Sequence, residues 1–219
     1  MRFPNAAKGI NKIWIAEILG IVAAVLAIVM VILTAANHID PSLSAEAATQ
    51  AIENAQIGTP FVILSVVMML IMLVSYILNL IGIVNASKNE EGFKNALWVL
   101  LGTIVFGIVS AVTSNSNPRV SNWTQVPATL LELVVTMFVL EGIGNLAGVL
   151  GKQDIVDLAA QCRTWLMCAL VLSAAAQVFV SLGTQGSTLN TASGIAASLL
   201  QIFAYVVYIR VLAKARKMQ

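Results

Sequence analysis

The sequence predicts an all-α membrane bundle of six transmembrane helices with both termini on the cytoplasmic side. Three observations predict it. Apolar residues make up 59% and charged residues only 10% of the 219 residues, against roughly 25% charged in an ordinary soluble domain, so lipid must solvate most side chains. Six apolar stretches recur, each close to the ~20 residues that cross a hydrocarbon core. Every Lys and Arg except Arg119 falls on one side of those stretches, and the short loops let the positive-inside rule apply fully.

Span one, Ile13–Ala36, follows Arg2, Lys8 and Lys12. Its apolar run exceeds the roughly 7–15 residues of a signal h-region, so a retained anchor is expected. Beyond it, Asp40-Pro41 opens an Ala-rich stretch in which Leu43, Ala47, Ala51 and Ile52 recur at helical spacing. A short amphipathic helix over 41–57, lying on the outer surface, is expected there. Span two, Phe61–Val84, returns to a loop holding Lys88 and Lys94. In that loop Ser87-Lys88-Asn89-Glu90-Glu91 offers capping side chains and acids to the helix of span three, Ala96–Val112. Span four, Val126–Val149, carries Glu132 and Glu141. Gly151 can end it, and Asp154 and Asp157 can cap a fifth helix beginning near Ile155. Spans five and six are Thr164–Leu182 and Ala192–Ala213, the latter ending among Arg210, Lys214, Arg216 and Lys217. Trp14, Trp98 and Trp165 mark the inner interface and Trp123 the outer one. Residues 1–219 read as a single membrane domain.

Gly82-Ile83-Val84-Asn85 recurs 60 residues later as Gly142-Ile143-Gly144-Asn145. Both copies end outside-to-inside spans, as a parallel repeat of helical hairpins would require. The segment Asn85–Ala96 that follows the first copy resembles a group of uncharacterised six-span bacterial membrane proteins. The resemblance covers about the middle third of the chain; it implies a bacterial plasma membrane and no particular activity.

Polar groups inside spans are the candidate functional residues. An acid near mid-bilayer costs on the order of 3 kcal/mol on insertion scales. Glu141 lies at such a depth, and no basic residue is assigned there, so it is expected to face the bundle interior as a neutral acid. Asn145 is one turn along the same face, and Gly144 and Gly148 have the spacing of a close-approach pair. Asn79, Gln177 and Gln201 add amides in spans two, five and six, completing a predicted intramembrane polar patch. Glu132 falls on the opposite face of span four from Glu141, near the outer boundary. Glu17 and Arg210 share an inner depth and are expected to form a structural ion pair between the first and last spans. Small-residue stripes at Ala16, Gly20 and Ala24, at Gly107 and Ala111, and at Gly194 and Ser198 allow helices to approach closely. The first of these stripes could also dock a membrane partner subunit.

Other chemistries lack the necessary residues. His38 is the sole His and has no ligand partners at suitable spacing, so no metal site is expected. No phosphate-cradling loop, catalytic set or cofactor motif is present. Cys162 and Cys168, near the cytoplasmic boundary, are expected to stay reduced. The net charge of +2 gives no reason to expect nucleic acid; the bilayer itself is the expected partner. The reading that follows is a non-enzymatic plasma-membrane protein, a small-solute transporter or the membrane subunit of a transport system. The alternative is an interaction, immunity or scaffold protein whose polar spans only pack.

Overall fold

The computed structural model describes residues 3–37, 58–113, 118–181 and 188–218, with side chains outside 35, 113–129, 175–195 and 197–198. Among the described residues the protein is all-helical: α1 Pro4–Ala36, α2 Gly58–Ala86, α3 Glu91–Thr113, α4 Pro118–Val149, α5 Gln153–Ser181 and α6 Thr188–Ala215. The first five are long and apolar enough to cross a membrane. Their exposed aliphatic side chains, such as Val31, Met69 and Val105, suit lipid rather than water. The surface helix expected over 41–57 lies outside the described residues.

The helix ends differ from expectation for local reasons. α1 begins at Pro4, where proline's fixed φ suits a first helical turn. Phe3 has no side-chain acceptor, and the Asn89 Oδ1 accepts the Ala6 N–H at 3.0 Å instead. Asn89 therefore caps α1 from the α2–α3 loop and does not cap α3, as its sequence position suggests. α4 ends as the sequence predicts. Gly151 has φ 69°, the Lys152 N–H donates to Ala147 O at 2.9 Å, and the Gly151 N–H donates to Gly148 O at 3.1 Å. These two bonds form a Schellman cap. α5 starts at Gln153, because the Lys152 carbonyl already accepts from Val156 N at 3.3 Å. Asp154 and Asp157 thus lie inside the first turns, where Gln153 Nε2 donates to Asp157 Oδ1 at 2.9 Å.

The hairpin repeat acquires a physical basis at the glycines. A Cβ on Gly9 would sit 2.5 Å from Gly82 O and 2.8 Å from Ala86 N. A Cβ on Gly92 would sit 2.6 Å from Gly142 N, and one on Gly142 would strike the Phe93 ring. In each of the first two hairpins, a glycine opening the first helix meets the glycine of Gly-Ile-x-Asn closing the second. The burial register extends to a third copy. Gly82, Ile83 and Ala86 are buried on α2, as are Gly142, Ile143 and Leu146 on α4, and Val211, Leu212 and Ala215 on α6. Ile10 and Ile13, Phe93 and Ala96, and Ala159 and Cys162 match likewise on the first helices.

The structure falls into two compact units, Lys12–Leu80 and Met1–Asn11 with Ile81–Gln219. Within Lys12–Leu80, α1 and α2 run antiparallel and the Ser75 hydroxyl donates to Ala16 O at 2.8 Å. In the larger unit α3 packs on α4, α4 on α5 and α5 on α6. There the buried Cys162 thiol donates to Ala204 O at 3.4 Å.

Candidate functional site

On α4 and α6 the polar register at the end of the second helix forms a clasp. Asn145 Nδ2 donates to Glu90 Oε1 at 2.7 Å, just ahead of α3. At the corresponding place on α6, Lys214 Nζ meets Asp154 Oδ2 of α5 at 3.0 Å. Asp154 precedes the apolar part of α5, and the hydrogen bond from Lys214 holds its carboxyl below the ordinary value of 3.8. Each clasp ties the two helices of one hairpin at their shared end. Asn145 is therefore engaged structurally as well as placed beside Glu141.

Glu141 has a cationic neighbour. Arg163 Nη1 lies 3.4 Å from Glu141 Oε2, with each side chain about two-fifths exposed. This overturns the expectation of an acid with no base at its depth. The reason is the reach of α5: Arg163 stands at the edge of the predicted fifth span, but its long side chain and the α4–α5 packing carry the guanidinium to Glu141. The pair lines an open groove of about 700 Å³ between α4 and α5, together with Asn145, Thr164 and Met167. Gly144 and Gly148 also line it, and they are not a close-approach pair. A Cβ on either would meet only Ala159 or Val156 at 3.8–3.9 Å, an ordinary contact. These glycines add width to the groove, whereas helix contact is made at Gly9, Gly92 and Gly142. The sequence signal for that contact was the Gly-Ile-x-Asn repeat; the four-residue stripes did not give it.

Within the larger unit, the predicted patch residues divide between two grooves. Gln201 Nε2 donates to the Ser173 hydroxyl at 3.1 Å and lines a different groove, of about 380 Å³, shared with Glu132. Placing Glu132 and Glu141 in separate grooves agrees with their opposite helix faces. Asn79 belongs to the Lys12–Leu80 unit, where its side-chain oxygen is shielded and has no hydrogen-bond partner among the described residues. The Gln177 side chain lies outside the described residues. Glu17 is half-buried and Arg210 exposed; they belong to different units, and their pairing remains an expectation. The Ala16–Gly20–Ala24 stripe divides, with Ala16 buried and Ala24 exposed. Gly107 faces open space within 4 Å. Gly194 and Ser198 lie outside the described side chains. Among the described residues, no cluster of three His, Cys, Asp or Glu could hold a metal.

The fold and its grooves define a polytopic helical membrane protein. No family model, curated protein or solved structure matches the chain, so no activity is inherited from a relative.

Proposed function

We propose that the protein is a non-enzymatic, multi-pass plasma-membrane protein that binds a small solute for transport, alone or as the membrane subunit of a larger system. The Glu141–Arg163 pair in the α4–α5 groove carries this reading. Intramembrane ionisable residues facing a cavity commonly mark solute paths. A solute bearing both an ammonium and a carboxylate could exchange with the two halves of the pair, satisfying each charge while bound. The apolar walls of the groove, Met167 and Leu140 among them, would limit water and strengthen those contacts.

Uptake of a radiolabelled amino-acid mixture into proteoliposomes tests the reading. Wild-type protein should give saturable uptake, and Glu141→Gln should lower it by about tenfold or more while leaving insertion and helicity unchanged. A second reading, an interaction or scaffold protein, is favoured by one observation: Glu141 already has its counter-ion. In that case proteoliposomes would show no uptake above empty vesicles. Glu141→Leu would then destabilise the bundle by leaving Arg163 without its partner.

A further inference from the structure

The two acids of α4 are treated differently by the fold. Glu141 has Arg163. Glu132 lines the second groove, between α4, α5 and α6, and among the described residues no Lys or Arg lines it. Its other polar lining consists of Thr136, Gln201, Tyr205 and Tyr208. Gln201 is fixed by donating to Ser173, which leaves its carbonyl oxygen as an acceptor. Tyr205 lines the groove, and its ring centroid lies 6.3 Å from that of Tyr208, which is buried behind it. Glu132 precedes the end of α4 at Val149 by seventeen residues, a rise of about 25 Å. That places it near the far rim of a ~30 Å core, exposed on the protein surface where lipid headgroups begin.

We infer that this second groove is a binding site for an alkylammonium group, with Glu132 as the counter-ion and Tyr205 as the aromatic wall. The chemistry follows from the lining. A carboxylate with no cation among the described residues lining its groove, at the edge of hydrocarbon, is best satisfied by a cation from outside the chain. Oxygen acceptors and an aromatic ring suit an ammonium with alkyl substituents. A divalent metal is the poorer occupant, because it seeks several carboxylates or carbonyls and Glu132 is the only acid among the described residues lining this groove. The ammonium could belong to a free amine or to a choline headgroup of a neighbouring phospholipid. The inference stands independently of the Glu141 groove.

The test uses the full chain in nanodiscs of phosphatidylglycerol, with tetramethylammonium chloride as the probe and saturation-transfer NMR as the readout. Saturable binding is expected. Glu132→Gln should weaken it at least about tenfold and Tyr205→Leu should weaken it measurably, whereas Glu91→Gln, at an exposed acid outside both grooves, should leave it unchanged. Circular dichroism and a single size-exclusion peak establish that each variant is folded. Repeating the titration in phosphatidylcholine nanodiscs separates the sources. An apparent affinity lowered by the lipid identifies the headgroup as occupant, and an unchanged affinity identifies a free amine. Either result supports an ammonium site. Absence of saturation in phosphatidylglycerol, or equal loss in Glu132→Gln and Glu91→Gln, would overturn the inference.

Discussion

Glycines with the same composition signal have opposite roles in this protein, and substitution should separate them. Gly142→Ala places a methyl against Phe93, which is fully buried and has no room to swing away. A loss on the order of 1–3 kcal/mol is expected from such overpacking. Gly144→Ala, only two residues along, meets Ala159 at ordinary distance and should unfold like wild type. Titration of the purified protein with a denaturing detergent measures both. Asn89→Ala removes the acceptor for Ala6 N–H and should cost about 1 kcal/mol by the same assay, as losing an N-cap usually does. Asn79 supplies a converse case. Its oxygen is shielded with no partner among the described residues, so Asn79→Leu should cost nothing or stabilise; clear destabilisation would mean the amide is satisfied in the membrane. At Asp154 the carboxyl is held low by Lys214. The clasp's contribution is fully present above the unfolded value, near 3.9, and is lost as pH falls through the lower folded value. Carboxyl-carbon NMR should find Asp154 titrating below its ordinary value in wild type and returning toward it in Lys214→Ala.

At the scale of elements, the hydrophobic runs were legible because bilayer thickness sets their length, and all six appear as helices. Their ends were less legible, since caps depend on neighbours distant in sequence: Asn89 serves α1 from 83 residues away. Gly151 was the exception. A Schellman cap is local, and its glycine announces it. The repeat was half legible. A single 60-residue offset aligned the second helices of two hairpins, but the connection after α1, residues 37–57, is longer than the one after α3, residues 114–117. One offset therefore could not also align Gly9 with Gly92. The third copy has lost the motif's residues, with Val211-Leu212-Ala213-Lys214 in place of Gly-Ile-x-Asn, and survives only as a burial register. The site was misread for a related reason. Depth was assigned from span boundaries, which ignored how far Arg163 reaches, and faces on separate helices cannot be registered from sequence. So Glu141 and Asn145 line one groove, while Gln201 lines another.

For the whole molecule, the decisive quantity is the distribution of charge between the two ends of the bundle. The clasps Asn145–Glu90 and Lys214–Asp154 lie at the ends where the first helix of a hairpin begins and its second helix finishes. Lys8, Lys88, Lys94, Lys152 and Lys214 belong to those same ends by sequence. Basic flanks are retained on the cytoplasmic side during insertion, so the clasped ends, both termini and the Lys88 and Lys152 loops are expected to be cytoplasmic. Arg119 alone opposes this assignment, and one residue against eleven is too weak a bias to invert it. The consequence is measurable in intact cells. An impermeant maleimide should label Asn115→Cys in a background lacking Cys162 and Cys168, and should label Lys152→Cys only after the membrane is opened. Labelling of Lys152→Cys in sealed cells would place the clasps outside and turn the Glu141 groove toward the exterior. It would also move the Glu132 groove to the cytoplasmic rim, so any headgroup bound there would have to come from the inner leaflet.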